Sequence, residues 1–135
     1  MATQQTRPPL THSDLCVLAH KYFQAVDTRD IDTIVSFFAP DAMLRVYTDN
    51  VTYHGAVEIR GMFTGFVNNS KTIFHDIKNI IVDPVTRRVA IEQRYTGELI
   101  DGTRNDMDNC NFFDVDEDGK FTRVLIWMSG TNPLK

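Results

Sequence analysis

Two cysteines, seven glycines and five prolines in 135 residues exclude several kinds of protein at once. A disulfide scaffold needs a denser set of cysteines, and a collagen-like chain needs a regular glycine repeat. Cys16 and Cys110 can form one bridge at most; with no mark of secretion we expect two free, buried thiols. No run approaches the roughly 20 apolar residues that span a bilayer. The opening from Met1 to Pro9 is polar, closes on Pro8-Pro9 and lacks the apolar centre of a signal peptide. We therefore expect a cytoplasmic protein, no membrane association, and a flexible tail over residues 1–12. Concentrated positive charge is missing too: 14 basic side chains face 18 acidic ones, for a net charge of −4. Arg87-Arg88 is an isolated pair, which argues against nucleic acid as a partner. There is no glycine-rich phosphate loop, no zinc-ligand spacing and no activated-serine motif, so neither cofactor nor metal is expected. Asp114, Asp116 and Asp118 before Gly119 open like a calcium loop. Leu125 stands where such a loop needs its bidentate glutamate, so the run reads as an acidic hairpin turn.

What the chain does have is a core. Hydrophobic residues make up 42% of it, with nine Phe and one Trp. A domain of this size buries about two thirds of its unfolded surface, and residues 13–135 read as one such domain. Thr11 with Asp14 three positions on resembles a helix cap. Leu15, Leu18, Ala19, Tyr22 and Val26 then mark one face of a helix ending near Asp27. Asp30 opens a second helix with Ile31, Ile34, Val35 and Phe38 inward. Residues 42–48 and 51–53 read as strands. A third helix follows Gly55, with Ile59, Met62, Phe63, Phe66 and Val67 on its apolar face. From Lys71 the pattern turns to period two, rich in β-branched and aromatic residues, predicting strands near 72–82, 88–100, 104–115 and 120–129. Helices first and a meander afterwards is an α+β arrangement.

The segments 22–27 (Tyr-Phe-Gln-Ala-Val-Asp), 30–35 (Asp-Ile-Asp-Thr-Ile-Val) and 38–42 (Phe-Ala-Pro-Asp-Ala) resemble the helical opening of nuclear-transport-factor-2-like, or SnoaL-like, proteins. A His-Gly turn before the third helix and a last strand carrying Trp127 extend the likeness over about residues 13–130. The resemblance implies a cone-shaped, curved antiparallel sheet wrapped around a pocket, with three N-terminal helices. It also implies enzymes such as ketosteroid isomerase, scytalone dehydratase, limonene-epoxide hydrolase and polyketide cyclases. On those patterns His75 falls at the acid–base histidine of scytalone dehydratase and Asn111 at its asparagine. Tyr22 falls at the oxyanion tyrosine of ketosteroid isomerase, and Arg94 at the arginine of limonene-epoxide hydrolase. The carboxylates of the latter two enzymes meet Val46, Asn111, Thr96 and Ile126 here, so neither reaction is expected to run by its usual route.

Hairpin geometry predicts which side chains share a sheet face. A two-residue Asp101-Gly102 turn sets Glu98 opposite Asn105, Arg94 opposite Asn109 and Glu92 opposite Asn111. A connection closing on Val82 and Val89 sets His75 opposite Thr96, Ile77 opposite Arg94 and Asn79 opposite Glu92. A turn at 116–119 brings Val124 beside Asn111 and Ile126 beside Asn109. One face then collects His75, Ile77, Glu92, Arg94, Thr96, Glu98, Asn109, Asn111, Val124, Ile126 and Met128. The other collects Ile91, Tyr95, Cys110, Phe112, Leu125 and Trp127.

With the mixed face turned to the pocket, the candidate catalytic set is His75 as acid and base, with Arg94, Asn111 and Tyr22 holding an oxygen where charge develops. Glu98 or Glu92 tunes His75 or Arg94. Tyr47, Tyr53, Ile77, Glu92, Thr96, Asn109, Val124, Ile126 and Met128 are the candidate substrate-binding residues. The resulting expectation is dehydration, isomerisation or cyclisation of a hydrophobic, oxygenated small molecule of secondary metabolism, a polyketide or terpenoid intermediate. The alternative is a non-catalytic binding or dimerisation module of the same fold. Tyr95, Phe112 and Trp127 on the outer face predict a homodimer.

Overall fold

The computed structural model describes residues 8–135. Most of the expected tail therefore lies outside the described residues. Helix α1 runs from His12 to Asp27 and α2 from Ile31 to Ser36; they precede β1 (Phe38–Val46) and β2 (Val51–His54). Helix α3 (Gly55–Asn68) follows, and then β3 (Ser70–Asp83), β4 (Arg88–Leu99), β5 (Arg104–Val115) and β6 (Phe121–Met128). Thr11 and Asp14 form a reciprocal capping box: the Thr11 hydroxyl accepts the Asp14 N–H at 3.0 Å and the Asp14 carboxylate accepts the Thr11 N–H at 2.9 Å. The chain leaves α1 through Arg29 at a positive φ of 62°. Its guanidinium donates to the carbonyls of Ser70, at 2.9 Å, and of Lys71, which ties the α1–α2 turn to the start of β3. Asp30 then caps α2 by accepting the Thr33 N–H at 3.2 Å.

The six strands form one curved, open sheet in the order β2-β1-β6-β5-β4-β3. Neighbours are antiparallel except β1 and β6, which run parallel. Helices α1 and α3 pack on the concave face, α1 along β3 and α3 over β1. Leu15, Tyr22, Phe23, Ile59, Phe63 and Phe66 from the helices meet Leu44, Ile91, Phe113, Phe121 and Val124 from the sheet, all buried. Tyr22 lies at the centre, its ring edge-on to those of Phe23, Phe63, Phe113 and Phe121. Cys16 and Cys110 are free, as expected, though half-buried. No described helix is long and apolar enough to cross a membrane.

From β2 onward the strands lie where periodicity puts them, whereas β1 begins at Phe38, which was expected on the inward face of the second helix, because α2 ends at Ser36. Two details of register also differ, and they decide which side chains face inward. Between β4 and β5 the pairs are Glu98 with Arg104, Arg94 with Asp108 and Glu92 with Cys110. The loop has three residues, 100–102. Leu99 and Thr103 close it at 2.8 Å, and only Gly102 (φ 91°) takes the left-handed conformation. A two-residue type I′ turn needs positive φ at Asp101 as well; a type I turn ending on a left-handed glycine needs it at one position. Between β3 and β4 the expected pairs hold from Asp83–Arg88 to Asn79–Glu92. The ladder then bulges at Lys78 and continues as Ile77–Gln93 and His75–Tyr95. Between β5 and β6 the partners differ from expectation by two residues, Asn111 facing Ile126 and Asn109 facing Met128, which leaves every side chain on its expected face.

Candidate active site

Because of these shifts the concave face carries Gln93 and Tyr95 where Arg94 and Thr96 were expected. Arg94 projects outward and makes a bidentate pair with Asp106, Nε to Oδ1 at 2.7 Å and Nη2 to Oδ2 at 2.6 Å, with about half of each side chain exposed. That guanidinium holds Asp106 below the usual carboxylate range. Glu92 accepts from Asn79 on the same outer face. Glu98 lies between Lys71 and Arg104 at 4.0 and 3.9 Å, and Thr96 pairs with Asp106. Tyr47 stacks on Trp127 with ring centroids 4.7 Å apart, and Arg45 lies over its ring, so it too lies outside the pocket. Tyr53 packs at the rim of the core without reaching the pocket, and Val124 is buried beneath it. Tyr95, expected outside with Phe112 and Trp127, points inward instead.

The pocket between α1, α3 and the sheet gathers Tyr22, His75, Asn109, Asn111, Ile126 and Met128 from the expected set. To these the structure adds Phe23, Val26, Phe63, Phe66, Gln93 and Tyr95, and Pro133 and Leu134 after β6. Ile77 borders an adjoining groove beside His75 and Asp27.

His75 is the best-positioned titratable group here. Its Nδ1 lies 2.6 Å from Oδ1 of Asp27, and its backbone N–H donates to Oδ2 of the same carboxylate at 3.0 Å. A carboxylate can only accept, so Nδ1 carries the hydrogen and Nε2 of the neutral ring keeps the lone pair. Phe23 and Tyr95 flank the ring at 5.0 and 5.3 Å, leaving its side chain 10% exposed. Asp27 was not among the residues singled out from sequence, yet it carries a signal. It is the last residue of α1, where the helix dipole disfavours negative charge, and no basic residue accompanies it in that turn. An acidic group placed there against the dipole invites a search for a partner elsewhere.

Three buried carboxamides form the polar wall. Gln93, Asn109 and Asn111 are 2%, 6% and 3% exposed. One end of the Gln93 amide lies 3.1 Å from the Ile91 carbonyl and 3.3 Å from that of Asn109, positions only its nitrogen can occupy favourably. Its oxygen then faces the Asn111 carboxamide at 3.1 Å, which must present its own nitrogen there. Asn109 Oδ1 is buried with no hydrogen-bond partner among the described residues, while the Tyr95 hydroxyl lies beside the Asn105 side chain. Burial pushes the hydroxyls of Tyr22 and Tyr95 above the usual tyrosine range, so both stay neutral donors. Among the described residues no Asp, Glu, Lys or Arg lines this space; Asp27 meets His75 from the adjoining groove, which Asp76 also borders. Nor is any group of His, Cys, Asp or Glu among the described residues arranged to hold a metal ion.

Residues 19–124 match the model of the SnoaL-like domain, and the chain belongs to that family. No curated protein matches it. Among solved structures it is similar to a protein from Novosphingobium aromaticivorans provisionally named an aromatic ring hydroxylase, with 27% identity, a TM-score of 0.79, and 90% of this chain and 94% of that one covered. It is similar as well to SalBIII, an epoxide hydrolase/cyclase-like enzyme of pyran ring formation in the polyether salinomycin (17%, TM-score 0.80, covering 89% and 94%). A third is the BvnE pinacolase of Penicillium brevicompactum (17%, TM-score 0.76, covering 85% of each chain). At such identities the last two share the fold. The fold is thus one that small-molecule-converting enzymes use.

Proposed function

We propose that the protein converts an uncharged, hydrophobic, oxygenated small molecule by acid–base chemistry of its own side chains, through dehydration, isomerisation or cyclisation. The observation that carries this reading is the Asp27–His75 pair at a pocket whose other polar groups are neutral and partly unpartnered. Nε2 of His75 takes a proton from the substrate, and Asp27 stabilises the imidazolium that forms. Negative charge developing on a substrate oxygen is met by neutral donors, the Tyr22 hydroxyl and the amide hydrogens of Asn109 and Asn111. His75 then returns the proton to a leaving oxygen or to another carbon. Apolar rings and Ile126 and Met128 accommodate the rest of the molecule. The relative that acts in pyran ring formation in a polyether makes oxygenated polyketide intermediates the first substrates to try.

A thermal-shift and native-mass screen of such compounds finds the ligand, and turnover by variants tests the chemistry. We expect His75→Ala to lower kcat by at least about a hundredfold, within the usual range for a positioned acid–base group. Asp27→Asn should lower kcat, because the ring loses the anionic partner that orients it. Arg94→Ala, on the outer face, should stay within about twofold of wild type. Turnover of His75→Ala near the wild-type rate overturns the proposal and favours a non-catalytic binding module.

A further inference from the structure

The open space inside the pocket is only about 30 Å³. That is the scale of a water or two, where small-molecule sites commonly offer roughly 300–1,000 Å³. What fills the apolar end is the chain itself. After β6 the segment 130–135 lies over the pocket, with Pro133 buried and Leu134 half-buried, both lining the same space as His75, Asn109 and Asn111.

Its attachments are few. Ser129, just before it, is held by exchange of hydrogen bonds with Asp108 at 3.0 and 2.9 Å. Beyond that point no backbone-to-backbone hydrogen bond ties the segment to the rest of the described chain. The Leu134 N–H turns back on the Asn132 side chain at 2.8 Å, a bond internal to the segment. The polar ties to the body of the protein converge on one carboxylate oxygen in the β1–β2 turn, Asp49 Oδ2. It accepts from Asn132 Nδ2 at 3.3 Å and pairs with Lys135 Nζ at 3.0 Å. A segment held by so little backbone bonding belongs to the low-stability part of a fold.

We infer that residues 130–135 are a displaceable strap latched by Asp49, and that the ligand enters by taking the place of Pro133 and Leu134. The inference rests on reading this pocket as the ligand site. The groups displaced are a proline ring and a leucine side chain, so the entering portion is apolar and uncharged. Its polar end then meets the carboxamides and His75. Leu134 thereby sets how large a ligand is admitted. Apparent affinity is the intrinsic affinity reduced by the fraction of molecules with the strap released. Weakening the latch therefore tightens binding, the opposite of what losing a ligand contact does.

The test uses the full chain and a neutral fluorescent probe, N-phenyl-1-naphthylamine, and needs no substrate. Asp49→Ala and Leu134→Ala should each bind the probe at least about fivefold more tightly than wild type. Amide exchange at Leu134 should accelerate in Asp49→Ala, and the probe should shift the methyl resonances of Met128 and Ile126. Lys135→Ala, which leaves the buried side of the turn intact, should tighten binding in the same direction. Unchanged or weaker probe affinity in all three variants overturns the strap, as does a probe that shifts only outer-face signals. Probe binding reports on the strap and turnover by His75→Ala reports on the chemistry, so failure of one is distinguishable from failure of the other.

Discussion

Tyr22 shows how one side chain can carry both packing and chemistry. Its ring is enclosed by phenylalanines, the residue lines the pocket, and burial holds its hydroxyl well above its ordinary pKa. The folded state therefore keeps the proton at a pH where the unfolded chain begins to lose it, near 10. Above that pH the unfolded state binds fewer protons than the native one, so stability falls as pH rises. Below it Tyr22 is neutral in both states and contributes no pH dependence. Denaturant unfolding at pH 9 and 11 should show wild type losing stability across the interval and Tyr22→Phe losing less. Equal losses in both proteins would place the alkaline sensitivity elsewhere.

At the scale of elements, β4 is where sequence and structure part. Its alternation of inward and outward residues is plain from the sequence, but which alternate set faces inward depends on the connection to β5. Asp101-Gly102 fits both a two-residue turn and the final two positions of a three-residue loop, and composition does not separate them. The Lys78 bulge is equally silent in sequence. Between them they put Gln93 and Tyr95 in the pocket, and Arg94, Glu92, Thr96 and Glu98 outside. His75, Asn109 and Asn111 were legible because β5 and the first half of β3 keep the expected sides. Gly97 follows from the same geometry: a Cβ there would lie 2.5 Å from the Tyr95 hydroxyl and 2.7 Å from the Thr72 carbonyl. Gly97→Ala should cost about 1–3 kcal/mol, the usual range for overpacking. Tyr95→Phe in the same chain should recover part of that, because the nearest clashing atom is gone. Chemical denaturation of wild type, Gly97→Ala and the double variant measures this. At the other end, Thr11→Ala removes one half of the capping box and should cost about 1 kcal/mol.

For the molecule as a whole, the order of helices and strands along the chain and the fold class were readable because amphipathic periodicity and turn residues are local signals; the parallel pairing of β1 with β6 is non-local and was not. The volume of the pocket was not, since it depends on where a segment with no periodicity comes to rest. The outer sheet face is the remaining feature at this scale. Phe112 and Trp127 are 45% and 40% exposed and meet edge to face, with Tyr47 stacked on the indole. We propose that this aromatic patch pairs two copies of the chain. Sedimentation should find a dimer at micromolar concentration, and Trp127→Glu should yield a folded monomer; a monomeric wild type would remove the proposal.

The junction of α1 with β3 has a consequence for solubility. β3 is the terminal strand of the sheet, and an uncovered strand margin invites pairing with a foreign chain. Arg29 occupies the Ser70 and Lys71 carbonyls along that margin, and Asp27 occupies the His75 N–H. The carboxylate that orients the imidazole thus also blocks one rung against aggregation. Selection to retain the protein's solubility and selection to retain its chemistry would press on the same aspartate.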